Sequence, residues 1–163
     1  MRVTRLGRTA GFLLPILMVG ALTVACSDNN ETTGPTINEL AGTWDGSSVL
    51  LTLNANPSIQ RDLVQDLGLT VTLEVLVTER YSFTAALGAT PVEVVTGDFN
   101  LTGSNRFELT NDDEPGVTWE GTFTLAGDNL SVRLQDVTLL DFDNPPDGEN
   151  DETLMEADFV RES

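Results

Sequence analysis

The chain has no histidine, no lysine and only one cysteine, Cys26, among its 163 residues. Histidine and lysine are among the commonest general bases, and an activated nucleophile needs such a base or a reactive thiol. Zinc sites also depend on histidine and cysteine ligands. The carboxylates Glu74 and Glu120 could in principle transfer protons, but they occupy outward positions of predicted strands. We therefore expect a non-catalytic protein with no catalytic residues, metal ion or cofactor.

Positive charge is also scarce, since eight arginines face 26 acidic residues and the net formal charge is −18. Nucleic-acid binding requires basic side chains that neutralise phosphates, so this charge argues against nucleic acid as a partner. The same field repels anionic lipid headgroups. Solubility alone explains such acidity, and a functional preference for cations is the alternative.

The apolar stretch over residues 11–25 is too short to be a membrane span. About 20 apolar residues are needed to cross the hydrocarbon core as a helix, and Pro15 would interrupt one here. Three arginines and no acid precede this stretch, as in a secretory signal peptide. We therefore predict a signal peptide over residues 1–25.

The run Leu22-Thr23-Val24-Ala25 before Cys26 resembles the lipobox of bacterial lipoproteins. In that family the cysteine is diacylated with chains such as palmitate and becomes the new N-terminus, which anchors the protein in the lipid bilayer. By resemblance to the enterobacterial sorting rule, Ser27 implies an outer-membrane protein facing the periplasm, or the outer face of the cell membrane in a single-membrane cell. The alternative is an ordinary cysteine near an ordinary cleavage site.

Residues 27–36 are polar and turn-forming, so we predict a flexible spacer that follows the lipidated cysteine (26–36) and precedes a folded domain at 37–163. Within this domain apolar and polar residues alternate with a period of two, which is typical of strands with one buried face. Turn signals divide the pattern into eight predicted strands, near 43–53, 69–78, 80–87, 91–101, 105–111, 117–126, 129–140 and 152–161.

Short turns at Gly103-Ser104 and Gly127-Asp128-Asn129 predict antiparallel pairing between strands that follow one another. One helix, over residues 57–67, is predicted between the first and second strands. Asn56 would cap it and Gly68 would end it in a left-handed conformation.

Eight consecutive antiparallel strands remove their exposed edges most completely by closing into an up-and-down barrel, with a two-layer sandwich as the alternative. Gly42-Thr43-Trp44 begins the first strand and Arg161 ends the last. In these residues the chain resembles the lipocalins and their calycin relatives, in a loose bacterial lipocalin-like group. The resemblance implies that Trp44 plugs the closed end of the barrel and that Arg161 packs over its ring.

If Trp44 marks the closed end, the predicted helix lies across the open end, the mouth, as a lid. Strand alternation then brings the loops at 88–90, 111–116 and 141–151 to the same end. The acids of the last two loops would rim the mouth with negative charge: Asp112, Asp113, Glu114, Asp141, Asp143, Asp147, Glu149, Asp151 and Glu152. The acidic loop at 141–151 does not fit the spacing of a calcium-binding EF-hand.

The same alternation turns Arg80, Arg106 and Arg133 outward and leaves the interior without a free cation. We therefore expect a small, neutral or cationic hydrophobic ligand. The candidate pocket residues are Val71, Leu73, Tyr81, Phe83, Phe107, Trp119 and Phe123. In a small barrel the same residues would equally form a solid core, and the alternative function is then an envelope structural or interaction protein that docks a protein partner.

Overall fold

The computed structural model describes residues 34–142 and 148–163, which belong to one compact unit. Strong alternation of apolar and polar residues produces nine strands after one four-residue helix. The helix is α1 (Ile37–Leu40), and the strands are β1 (Gly42–Leu53), β2 (Gln60–Asp62), β3 (Thr70–Val75), β4 (Arg80–Leu87), β5 (Thr90–Leu101), β6 (Arg106–Thr110), β7 (Thr118–Ala126), β8 (Asn129–Thr138) and β9 (Glu152–Arg161).

Eight of these strands close into an antiparallel barrel in the order β1-β3-β4-β5-β6-β7-β8-β9, and β9 pairs back with β1. The closing ladder runs from the pair Trp44–Arg161 to the pair Leu53–Thr153, with a bulge between Gly46 and Ser48. The predicted all-β, eight-stranded up-and-down barrel is therefore confirmed. Closure directs one face of every strand to a single core, and β2 pairs with the part of the β1 edge that β3 does not cover.

The base of the barrel is closed by α1, Trp44 and Arg161. Trp44 is completely buried, and its Nε1 donates a hydrogen bond to Leu40 O at 2.9 Å. The guanidinium of Arg161 lies 4.0 Å above the Trp44 ring and donates to the carbonyl oxygens of Ala41 and Glu39. These two side chains thus satisfy three carbonyl groups at the end of a helix too short to satisfy its own.

Gly42 makes room for this arrangement. Its φ of +143° is unfavourable for any other residue, and a Cβ at this position would lie 2.6 Å from Arg161 Nη1. The glycine of the Gly-x-Trp sequence therefore leaves room for the guanidinium of Arg161, which stacks on the tryptophan two positions later.

The predicted helix at 57–67 is wrong. Residues 60–62 form β2, which lies outside the ring and pairs with the mouth half of β1, on the edge opposite β9. The carboxylate of Asp62 then accepts hydrogen bonds from Ser48 Oγ and from the backbone NH groups of Val64 and Gln65, which holds residues 62–67 in turns. Residues 57–67 therefore form no helical lid over the mouth.

The physical reason is competition for backbone partners. An isolated helix of about 11 residues is marginal, whereas the free edge of β1 offers ready hydrogen bonds. Asn56 uses its side chain to accept from Ser58 N, which closes a turn instead of capping a helix. Of the apolar residues on the predicted helical face, Leu63 is buried but Ile59 and Leu67 are exposed.

We predict that Arg161→Ala lowers the free energy of unfolding by about 2 kcal/mol, because it removes the stacked cation and two charge-assisted hydrogen bonds. Urea unfolding of the full chain measures the change. Arg106→Ala is the matched control, since that side chain is exposed and reaches Glu120 only at 3.9 Å; its effect should stay below about 0.5 kcal/mol. Equal losses in the two variants would show that Arg161 does not brace the base.

Candidate functional site

The centre of the barrel holds a small apolar cavity of about 40 Å³. Its lining comes from α1, from seven of the eight ring strands and from the segment after β8. The lining residues are Leu40, Leu73, Val75, Tyr81, Phe83, Val95, Phe99, Phe107, Leu109, Trp119, Phe123, Leu130, Val132, Leu134, Val137, Leu139, Met155 and Phe159. Common ligand pockets measure about 300–1,000 Å³, so side chains fill most of this interior.

Six of the seven predicted pocket residues line this cavity; the exception is Val71. Val71 is buried but packs against the neighbouring strand of the barrel wall. A Cβ added to Gly46 of β1 would lie only 3.0 Å from the Cβ of Val71. The absence of a side chain at Gly46 permits this close approach of β1 and β3. Val71 therefore belongs to the contact between two strands and not to the cavity.

A row of phenylalanines crosses three neighbouring strands on the cavity wall. Phe99 stacks on Phe107 with a centroid distance of 5.0 Å and an interplanar angle of 9°, and Phe107 meets Phe123 at 6.0 Å and 54°. Gly121 leaves space for this row, because a Cβ there would lie 2.6 Å from Phe107 Cζ. Sequence reasoning missed Phe99, although its parity with Val95 on β5 places both side chains inside.

The hydroxyl of Tyr81 is already engaged. It donates to Thr110 O at 3.0 Å, and burial, with Asp112 nearby, raises the pKa of Tyr81 far above its usual value. Arg80 opposes this shift only weakly. The phenol therefore stays neutral and is committed to the β6 backbone, so it is a poor partner for a ligand carboxylate.

Trp119 borders both the cavity and a cleft outside the barrel. The side chain is 4% exposed, and its buried Nε1 has no hydrogen-bond partner among the described residues. The indole also borders a cleft on the outside of the mouth, where Glu114, Asp136 and Asn150 lie. Trp119 thus separates the inner cavity from an acidic outer cleft.

Glu93 adds a carboxyl group on the inner face of the mouth. It lies opposite the buried Ala85 and shares the inward parity of Val95, and it is half-buried. Burial, and secondly the charge of Asp113, raise its pKa above the usual value. Sequence reasoning missed this residue too, although the alternation along β5 would have placed it inside.

The arginines Arg80, Arg106 and Arg133 lie on the outer surface, each paired with acidic side chains. Arg80 bridges Asp98 and Asp112, while Arg106 and Arg133 approach glutamates on neighbouring strands at 3.9 and 3.7 Å. No arginine lines the cavity within the described part of the chain. The inner wall therefore offers nothing that would neutralise an anionic ligand.

The segment after β8 covers the mouth. Leu139 lines the cavity, and Leu140 and Phe142 pack against the core. The Asp151 carboxylate accepts from Phe142 N at 2.7 Å, and Asp151 N donates to Leu140 O at 2.8 Å. The cover over the mouth is thus residues 139–142, held in place by residue 151.

Strand alternation brings the acids of both predicted rim loops to this end, but several of them have structural partners. Asp112 binds Arg80 and Thr96, which lowers its pKa, and Asp141 accepts from Gly148 N at 2.8 Å. Asp143 and Asp147 lie outside the described residues. Within the described ranges, no three metal-ligating side chains group closely enough to hold an ion.

Comparison with known proteins finds no protein-family model, no curated protein and no solved structure that matches the chain. The closed eight-stranded antiparallel barrel is consistent with a lipocalin-like fold. Across the described ranges, no helix combines the length and the apolar character needed to cross a membrane.

We predict that the folded protein forms no tyrosinate near pH 10, where an ordinary tyrosine titrates. Because the raised pKa keeps Tyr81 neutral while the unfolded chain ionises, stability should fall as pH rises above about 10. Near-ultraviolet absorbance reports this directly, since Tyr81 is the only tyrosine. The unfolded chain in guanidinium is the control. Tyrosinate absorbance near pH 10 with the circular dichroism of the fold intact would contradict the prediction.

We also predict that Glu93→Gln raises the melting temperature at pH 7 but not below about pH 4. The raised pKa means that folding favours the protonated carboxyl, so the cost of the charge is absent below the unfolded pKa and appears as pH rises through the folded one. The gain should stay below about 1 kcal/mol because water screens a half-exposed group. Glu74→Gln makes the same change at an exposed outward position and is the matched control. If the melting temperature changed with pH in the same way in both variants, the raised pKa of Glu93 would be contradicted.

Proposed function

We propose that the chain is a non-catalytic, lipocalin-like lipoprotein that binds one small hydrophobic ligand, neutral or cationic, inside its barrel. The observation that carries the proposal is the apolar cavity of about 40 Å³ inside the barrel, to which seven ring strands contribute.

The size of the cavity limits the ligand. A volume of about 40 Å³ exceeds the 10–15 Å³ that one water molecule needs, but it is smaller than the roughly 150 Å³ of an engineered cavity that binds benzene. Binding of anything larger than a few atoms therefore requires side chains to move. Leu139 is the natural candidate, because it covers the cavity from an irregular segment instead of a strand.

The distribution of charge supports a neutral or cationic ligand. All four arginines on the barrel wall and in the loops lie at the outer surface, and Arg161 is committed to the base. The ionisable group that faces the inner mouth is the carboxyl of Glu93. An anionic ligand would meet this carboxyl with no compensating cation, at a cost in desolvation.

The envelope location belongs to the same proposal and is supported by sequence alone. A signal peptide at 1–25, acylation of Cys26 and a spacer to residue 36 would anchor the barrel to the outer membrane, facing the periplasm. Two acyl chains give the stable anchoring that a single chain does not. The acidic domain would then stand away from anionic headgroups on its tether. These segments lie mostly outside the described residues.

A second candidate is an envelope interaction protein with a filled barrel. The small cavity favours it, and so do three exposed apolar side chains, Leu87, Val92 and Val94, at the mouth end of the β4-β5 hairpin. Isolated exposed apolar residues are common on soluble proteins, however, and a cluster of three is modest. The apolar cavity on the barrel axis gives the ligand-binding proposal the stronger support.

Native mass spectrometry of the protein purified from its own host tests the proposal. We expect the wild type to retain a small molecule and Val95→Leu to lose most of it, because one added methylene takes up much of the cavity. Val94→Leu is the matched control, since it makes the same change one position away on the exposed face. Equal retention by both variants would place the molecule outside the barrel. A bound protein without any small molecule would favour the second candidate.

A further inference from the structure

We infer that the barrel turns its mouth away from the bilayer that holds its anchor, so that the ligand enters from the aqueous phase and not from that bilayer. This inference rests on the proposed acylation of Cys26 and on the proposed binding of a ligand inside the barrel. It starts from the place where the chain that follows Cys26 joins the barrel, which is the closed base.

Residues 34–36 pack against the base of the barrel. They line a groove together with residues 101–103, where β5 ends and turns towards β6. Gly34 lies so close to this turn that an added Cβ would overlap the backbone of Ser104. The chain that comes from the anchor is therefore held at the end of the barrel opposite the mouth.

The length of the tether limits how closely the mouth can approach the bilayer. Only residues 27–33 separate Cys26 from Gly34, so even a fully extended chain reaches about 28 Å. Strand β1 has 12 residues, which at a tilt of about 40° give the barrel wall a height of about 28 Å. A flexible chain as long as the tether averages about 16 Å between its ends. The mouth could therefore meet the bilayer only with the tether drawn straight along the wall.

The distribution of charge favours the same orientation. The base presents four acids with Arg161 among them: Glu39, Glu79, Asp128 and Glu162. Within the described residues, the mouth loops at 111–117 and 139–151 present six acids and no arginine: Asp112, Asp113, Glu114, Asp141, Glu149 and Asp151. An anionic bilayer surface therefore repels the mouth more strongly than the base.

The size of the cavity agrees with entry from water. A volume of about 40 Å³ is too small for the acyl chain of a membrane lipid, since pockets for larger ligands measure about 300–1,000 Å³. A small molecule in the aqueous phase can reach a mouth that points away from the anchoring bilayer. A lipid of that bilayer would have to leave it first.

Two matched cysteine variants test the inference. Thr78→Cys at the base and Thr90→Cys at the mouth make the same change at exposed positions beyond the two ends of β4. In the full chain, expressed in a host that acylates Cys26, the introduced thiol is the one available for a fluorescent donor. The protein would be placed in vesicles of phosphatidylethanolamine and phosphatidylglycerol that carry a rhodamine acceptor on some headgroups. Energy transfer then reports the height of each donor above the bilayer.

We expect the rate of energy transfer from the Thr78→Cys label to exceed that from the Thr90→Cys label about threefold or more, because the height of the barrel separates the two sites. A Gly-Ser insertion of about 16 residues after Asn30 should at least halve this ratio, since the longer tether lets the barrel turn over. The same insertion after Ser163 is the matched control, because it adds no length between the anchor and the barrel, and it should keep the ratio.

The outcomes separate the orientation from the functions on which it rests. If vesicle-bound protein shows equal transfer from both sites, or faster transfer from the mouth, the inference is overturned, while a small molecule retained in native mass spectrometry would leave the binding function standing. If the protein does not co-sediment with the vesicles, the proposed anchor fails and the inference fails with it. If a threonine variant does not fold, Ser163→Cys at the base and Ser58→Cys at the mouth repeat the comparison.

Discussion

The pairing of β1 with β9 is the contact on which the rest of the structure depends, since it turns a meander into a closed ring. Trp44 and Arg161 are directly opposed in this ladder, so closure itself sets the guanidinium over the indole. The same two side chains hold the end of α1 across the base. One cross-strand pair therefore joins the first strand, the last strand and the plug.

Closure also determines which groups the interior can hold. Once the ring is formed, the pleat sends alternate side chains to one axis, and a charged residue at an inward position would have no water. The chain obeys this rule along most of each strand. Two residues near the mouth are exceptions. Glu93 is half-buried at an inward position, and the buried Nε1 of Trp119 has no partner among the described residues. Such departures from full satisfaction are expected where a protein binds something.

Much of the barrel could be predicted because its signals are local and repeated. A period of two over six or more residues, interrupted by glycine turns, located all eight ring strands, and parity alone placed Arg80 and Arg133 outside. The prediction of a helix at 57–67 was wrong because the contacts that this segment makes instead are not local. Asp62 gains its partners from Ser48 and from turns that form only after β2 has paired with β1.

Cavity volume was beyond sequence reasoning for a related reason. Parity names the side chains that point inward, as it did for Phe83 and Phe107, but the space left between them is a small difference between large volumes. Two glycines show how fine the difference is: Val71 packs against the β1 backbone at Gly46, and Gly121 makes room for the Phe107 ring. The interior is therefore tight where the aromatic side chains stack. At the mouth, by contrast, Leu139 covers the cavity from a segment that is not part of a strand.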